Sequence, residues 1–268
     1  MNLKDVKLHF LFVCAGAVLF SAAAGIVTVP SDSTKTISAA MSVAQQGDTV
    51  KVKEGVYKET VYISPGVSLV SEKQFGAVID GGGRGTIVTL GTGSSITGFE
   101  IRNGTIGVLS TSSQTSVVQC RITQNQQSGI MCVGNLPKVE DNLIVFNRGS
   151  GIQGWDVRTT SASINHNTIV YNGNHGIALG GNSAVTVENN IIAFNDQFGI
   201  KPGDEAVRVE LINNNLYRNT KFSGTLPEDN IAADPMFVDA KRLDFNMMKE
   251  SQSVGMGTDN QNLGARIE

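Results

Sequence analysis

A repeat of 22 to 25 residues constrains this chain more than any other feature. The unit is an apolar run closed by Asn. It reads Arg121-Ile122-Thr123-Gln124-Asn125, then Asn142-Leu143-Ile144-Val145-Phe146-Asn147, then Asn167-Thr168-Ile169-Val170-Tyr171-Asn172. Asn190-Ile191-Ile192-Ala193-Phe194-Asn195 and Asn214-Asn215-Leu216-Tyr217-Arg218-Asn219 follow. The closing Asn stands at 125, 147, 172, 195 and 219. A second marker comes four residues later: Gly129-Ile130, Gly151-Ile152, Gly176-Ile177 and Gly199-Ile200. Asn103 with Gly107-Val108 also fits, whereas after Asn219 the glycine is one place late, at Gly224, where the repeat decays.

Each unit holds three short apolar runs, in one unit near Val139, Ile144 and Ile152 and in the next near Ile164, Ile169 and Ile177. They are too short for helices, and β-branched residues dominate them, so each reads as a strand. One such unit cannot bury its own apolar face, but a stack of them makes a continuous core. The prediction is an all-β fold, a solenoid of stacked short strands. Asn142, Asn167, Asn190 and Asn214 would form an inner-corner ladder of amide hydrogen bonds. The recurring Gly would supply positive φ at another corner.

The pattern continues upstream with candidate strands at 49–52, 61–63, 67–71, 77–79, 86–90 and 96–101. Before them, residues 36–46 read as an amphipathic helix with Ile37, Ala40, Met41 and Ala44 on one face and Gly47 as terminator. A helix there would plug the open end of the coil. Residues 1–24 read as a secretory leader: Lys4 and Lys7, an apolar stretch from Phe10 to Phe20, then small residues before Gly25. A membrane anchor, or a lipid site at Cys14, is the less favoured reading, because the stretch is short for a bilayer span and runs on past Cys14. The β-helix domain is then 25–268, with the clearest repeats at 95–225 and a closing segment at 226–268.

With 21 Lys or Arg against 24 Asp or Glu, the chain is near neutral, which excludes the basic footprint of a nucleic-acid binder. A charged fraction of 17% against 40% hydrophobic excludes a disordered chain. The 30 Gly and 22 Asn suit a fold made of turns and short strands. Cys120 and Cys132 read as buried thiols, with pairing as the alternative in an exported protein.

Particular segments strengthen the fold reading. Thr36-Ile37-Ser38-Ala39-Ala40, Gly47-Asp48-Thr49-Val50, Gly55-Val56-Tyr57-Lys58-Glu59, Ile79-Asp80-Gly81-Gly82-Gly83, Ile96–Gly104, and Asp234-Pro235-Met236-Phe237-Val238-Asp239 resemble the pectin-lyase-like superfamily of parallel β-helices. The resemblance spans nearly the whole chain after residue 24. It implies a single-stranded right-handed parallel β-helix, whereas the superfamily carries lyases, hydrolases, epimerases and proteins without known chemistry. Its Asn-Thr-Asp hydrolase pattern, Asp-Pro-His-Asp epimerase pattern and lyase pattern around a catalytic Arg have no counterpart here.

Two surface clusters follow from coil geometry. Residues at equal offset stack about 4.8 Å apart. One place past the Gly-Ile marker stand Met131, Gln153, Ala178 and Lys201, and three places past it stand Val133, Trp155, Gly180 and Gly203. Trp155 and Lys201 would flank a shallow floor, rimmed by Asp156, Arg158, Asp204 and Glu205, with residues 155–161 as an inserted loop. An aromatic ring beside cations can seat an anionic sugar, with Gln153, Trp155, Asp156, Arg158 and Asp204 as binding residues and Lys201 as a base. The plainer reading, favoured on general grounds, packs Trp155 under its own loop and leaves Lys201 solvated.

The second cluster stacks Glu140, Asn165 and Glu188, and beside them Asp141, His166 and Asn189. Asp141 and His166 would make an acid–base pair, and Glu140 and Glu188 a cation site, with Ca²⁺ as the candidate ion. The favoured plain reading is a polar corner. His175 reads as a turn residue. The run between corner Asn residues is apolar on both faces, and a covering segment at 232–245 is the favoured explanation. The chain is therefore expected to be an exported, periplasmic or cell-surface monomer without a membrane span after residue 24. It would bind or act on acidic polysaccharide, as a lyase if catalytic. A non-catalytic surface scaffold is the alternative.

Overall fold

The inward columns of the repeat build the molecule. In the computed structural model, which describes residues 24–159, 161–203, 207–220 and 226–267, Val108, Ile130, Ile152, Ile177 and Ile200 lie in register from coil to coil. A second column is Ile101, Ile122, Ile144, Ile169, Ile192 and Leu216, and a third runs through Val117, Val139, Ile164 and Val187. All are buried. Each such side chain contributes about 2 kcal/mol through removal from water.

Every strand in these columns pairs in parallel with the equivalent strand of the next coil. The described strands form parallel sheets of nine, seven and eight strands, plus a two-stranded antiparallel hairpin. This is the predicted parallel β-solenoid. The upstream strands fall where the sequence places them, except that the expected strand at 96–101 divides into Ser95–Thr97 and Glu100–Arg102 around Gly98, whose φ is +81°.

Two Asn ladders hold the corners. In the expected one, Asn142 donates its backbone N–H and its Nδ2 to Oδ1 of Asn167, at 3.0 and 2.9 Å. Asn167 does the same to Asn190, Asn190 to Asn214, and Asn214 to Asn230. Each Nδ2 also reaches a main-chain carbonyl of the preceding coil, as from Asn167 to Val139 at 3.0 Å. The closing residues Asn125, Asn147, Asn172, Asn195 and Asn219 form a second ladder of the same design. Both ladders are buried but for the half-buried terminal rung Asn219, so the turns satisfy main-chain groups that water cannot reach.

The corner glycines act differently from expectation. Positive φ falls on non-glycine residues just before each ladder Asn: Asp141, His166 and Asn189 in one series, Phe146, Tyr171 and Phe194 in the other. Gly129, Gly151, Gly176 and Gly199 are absent from the positive-φ positions. They are glycine because there is no room. A Cβ on Gly151 would lie 2.5 Å from Cγ2 of Ile169 and 2.7 Å from the Gly176 carbonyl oxygen.

A helix covers the N-terminal end, but it is shorter than predicted, Ile37–Val43. Ala44 is already extended, so Gly47 lies in the connection rather than ending the helix. Thr36 caps it by accepting from Ala39 N–H at 3.1 Å. The Glu59 carboxylate accepts from the N–H groups of Ile37 and Ser38 at 3.0 and 2.9 Å, placing a negative charge on the positive end of the helix.

The outward apolar face of the eight-stranded sheet is covered, as favoured. Leu143, Val145, Val170, Ile191 and Ala193 form one cluster with Phe245 and Leu263. The cover extends further than 232–245: it includes the hairpin Phe237–Asp239 with Asp244–Met247 and the tail through Ile267. Phe146, Tyr171 and Phe194 stack on one another along its edge, with centroids 5.2 and 4.9 Å apart. Cys120 and Cys132 are free buried thiols, pushed by burial up to about 12. No helix among the described residues is long and apolar enough to cross a membrane. The expected leader falls outside the described residues but for Ala24.

Replacing Asn167 with Ala orphans the donors of Asn142 and the carbonyl of Val139 inside the core. At about 1–3 kcal/mol per stranded buried group, a loss of about 3 kcal/mol or more is expected in urea unfolding. A loss below about 1 kcal/mol would show that the ladder is not what closes the turn.

Candidate functional site

The seven-stranded sheet carries the groove that the repeat arithmetic places around Trp155. Met131 pairs with Gln153, Gln153 with Ala178, and Ala178 with Lys201, while Val133 pairs with Trp155. The expected inserted loop at 155–161 takes another form. Strand Ile152–Val157 occupies its first three residues, with an irregularity between Gly154 and Val157 against the next coil. Asp156 has a φ of +48° there. Such a bulge re-aims side chains beside a site. Thr159 then returns to the interior, where its Oγ1 accepts from Leu136 N–H at 3.0 Å.

Trp155 is 57% exposed, which overturns the reading that buries it under its own loop. Its ring stands over a groove of about 290 Å³ whose lining includes Gln153, His175, Ala178, Gly180 and Lys201. The floor is largely backbone. A Cβ on Gly203 would meet the Leu179 carbonyl oxygen at 2.8 Å and the Gly180 Cα at 3.0 Å. Gln153 is oriented by Ser150, whose hydroxyl donates to its Oε1 at 3.2 Å. At the rim Arg158 and Asp156 form a bidentate pair, with Nη2 to Oδ2 at 2.7 Å and Nε to Oδ1 at 3.3 Å. They largely cancel one another's charge. Lys201 is exposed on the groove's far side. Asp204 and Glu205 lie outside the described residues.

The sequence alone marks His175 as a turn residue. It is buried, it lines the groove, and its Nδ1 accepts from Phe198 N–H at 3.1 Å. The proton of a neutral imidazole then sits on Nε2. The available signal was its place next to Gly176, at the start of the strand that floors the groove.

The second cluster is corrected by the tail. Asp141 and His166 do follow one another at the corner, but they are 5% and 4% exposed. Arg266 grips both oxygens of Asp141, with Nε to Oδ1 at 2.7 Å. Gly264 N–H bonds Asn189 O at 2.8 Å, and Ala265 N–H bonds Thr168 Oγ1 at 3.0 Å. The pair therefore closes the coil under the tail instead of facing solvent. The expected cation site also fails to assemble. Glu140 is engaged by Lys138 and Arg266, Glu188 accepts from Ser163, and Asn165 stands between the two. Among the described residues no three His, Cys, Asp or Glu side chains converge to hold a metal ion.

The family model described as "Right handed beta helix region" matches residues 74–229. No curated protein matches the chain. Among solved structures, pectate lyase Pel9A aligns over 91% of this chain and 96% of its own, with a TM-score of 0.58 at 14% identity. A pectin methylesterase from Aspergillus niger aligns over 78% of this chain and 93% of its own, with a TM-score of 0.46 at 16% identity. At such identities the likeness is one of fold.

The tail latch has a pH dependence of definite sign. Burial, then the Arg266 charge, pushes the His166 imidazole below its ordinary value; Asp141, the Gly264 backbone and Glu140 oppose without cancelling. Its Nδ1 is buried with no hydrogen-bond partner among the described residues. A released His166 takes up a proton near pH ~6.5, which the latched one resists. The latch is thus fully effective above about pH 6.5 and weakens as pH falls below it. The protection factors of residues 257–267, taken relative to intrinsic exchange at each pH, should fall between about pH 7 and about pH 5, and His166→Asn should remove most of that dependence. Equal protection at both values would contradict the assignment.

Proposed function

The chain belongs to the right-handed beta helix family, whose members share a scaffold and not a chemistry, and from the groove on that scaffold we propose that it binds acidic polysaccharide outside the cytoplasm. The observation that carries this reading is the exposed Trp155 ring beside a backbone floor. A flat, open floor accepts a ring laid against it, and an indole fixed on a strand offers apolar area at little entropic cost. The described lining contains Lys201 and no carboxylate, which favours an anionic sugar over a neutral one. The leader pattern at 1–24 supports an extracytoplasmic setting.

Chemistry is a second reading, and the register supports it: Lys201 sits two coils from Trp155, on the same column as Gln153. In a β-elimination, Lys201 in its free-amine form would take the proton at C5 of a uronate. The electron pair would form the C4–C5 double bond, and the glycosidic oxygen at C4 would leave with the other fragment and take up a proton. The enzyme thereby ends one proton richer at Lys201 and sheds it to water. A surface scaffold without a ligand is the reading left if neither binding nor chemistry occurs.

Binding to polygalacturonate and alginate by titration calorimetry tests the first reading. Trp155→Ala should weaken binding at least about tenfold, equivalent to ~1.4 kcal/mol, while Trp155→Phe retains most of it. Failure of the wild-type protein to bind either polymer would sink it. Ultraviolet absorbance of the same mixtures, with and without Ca²⁺, reports the unsaturated product. A rise lost in Lys201→Ala establishes a lyase, and a flat trace with intact binding leaves a binder.

A further inference from the structure

The first described strand begins just past a processing signature. Ala22-Ala23-Ala24 offers small residues at the two positions a leader peptidase reads, directly before Gly25. Gly25 is half-buried, and Ile26–Val29 follows it as the outermost strand of the nine-stranded sheet. The Gly25 carbonyl accepts from Thr49 N–H at 2.9 Å, in step with the pairing of Ile26 to Thr49 and Val29 to Val52. The Gly25 nitrogen faces a carboxylate, donating its N–H to Asp48 Oδ1 at 2.7 Å.

Asp48 is held in place for that contact. Its Oδ2 accepts from Gln45 N–H at 2.8 Å, in the connection that leaves the capping helix. Its own N–H donates to the Gln45 carbonyl at 3.0 Å, and its carbonyl accepts from Ser68 N–H at 3.0 Å. Backbone hydrogen bonds from Gln45 and then Gly25 hold the carboxyl below its ordinary value, so it is ionised at neutral pH. The approach also restricts residue 25 to glycine, because a Cβ there would lie 3.0 Å from Asp48 Oδ1.

We propose that Ala24–Gly25 is the bond cleaved in processing and that Asp48 is the receptor for the α-ammonium this cleavage creates. Water adds its hydroxyl to the Ala24 carbonyl carbon and its hydrogen to the Gly25 nitrogen. The C–N bond breaks, and the new acid gives its proton to the new amine. A leader peptidase outside the cytoplasm catalyses the step. The nitrogen that donates one neutral N–H in the longer chain becomes a cation with three donors, already placed against a carboxylate. Processing thus turns a hydrogen bond into an ion pair at the residue where the solenoid starts. The pair fastens the edge strand to the exit of the capping helix, and with it the end cap that a solenoid requires. Cleavage one bond earlier would put the charge on exposed Ala24, about 3.3 Å further along an extended chain, and leave the Gly25 nitrogen neutral. The proposal rests on the extracytoplasmic setting in the reading above, and the Trp155 groove takes no part in it.

Intact mass and N-terminal sequencing of the chain exported by a secreting host should give Gly25 as the first residue. Any other first residue, or a lipid on Cys14, overturns the processing assignment. Chains beginning at Ala24 and at Gly25 are then compared, each with Asp48 and with Asp48→Asn, which keeps an acceptor oxygen and loses the charge. At low salt the amides of residues 26–29 and Gln45 should exchange about twofold to fivefold more slowly in the Gly25 chain, and Asp48→Asn should erase that difference. The α-amine of the Gly25 chain should titrate above its ordinary value of about 7.7–8.0 and return to it in Asp48→Asn. The clamp is then fully formed below about pH 7.7 and lost as pH rises through the raised value. Equal exchange in the two lengths, or an amine in its ordinary range with Asp48 present, overturns the receptor. If Asp48→Asn loosens the cap in both lengths, the amine titration of the unmutated chain decides alone. Polysaccharide binding is indifferent to each of these outcomes, so the groove stands or falls separately.

Discussion

The amide of asparagine, repeated at two corners of every coil, is the interaction on which this structure depends. A β-solenoid must turn sharply between sheets, and each turn strands N–H and C=O groups inside the wall. One Asn side chain answers three of these needs, as Asn167 does: its Oδ1 accepts from the coil before, and its Nδ2 reaches both the next Oδ1 and a carbonyl of the preceding coil. Because each rung is donor and acceptor at once, coils can only stack in register. That register then aligns everything else, including the isoleucine columns inside and the Trp155 column outside.

The ladder also explains why the legible and illegible parts of the chain divide as they do. Closing Asn and Gly-Ile markers recur at fixed offsets, so the coils, the inward columns and the neighbours of Trp155 could be read from spacing. The role of the glycines could not. Spacing marks where glycine is required, but a missing Cβ serves a positive φ and a close approach equally well. Here the approach of Ile169 and a neighbouring carbonyl to Gly151 decides it. The left-handed corners fall instead to residues that include Phe146 and Tyr171, which ordinary preference would not select.

The polar corner at Asp141 and His166 divides in the same way. Asp141 and His166 were placed correctly next to each other, because adjacency within the coils is periodic. What covers them is not. Arg266 lies 125 residues from Asp141 in sequence, in a tail that repeats nothing, so no interval pointed to it. A carboxylate beside a histidine looks like chemistry only until a third charge arrives to close the group off from solvent. The Trp155 groove escaped this fate because no segment of the described tail crosses that sheet. The same distinction separates its open aromatic face from the Phe146, Tyr171 and Phe194 stack, whose flank is taken by Phe245.

The tail has a consequence for how the molecule comes into being. A coil-by-coil solenoid can begin to assemble as soon as its first turns exist, each resting on the last. The outer face of Leu143, Val145, Val170, Ile191 and Ala193 is complete long before Leu263, the residue that helps to seal it, has been synthesised. Through that interval the nascent chain presents an ordered apolar surface to whatever surrounds it. The covering segment from Phe237 to Ile267 therefore sets a completion time for the coils it seals. A chain cut short before it would retain its coils yet behave as an adhesive one.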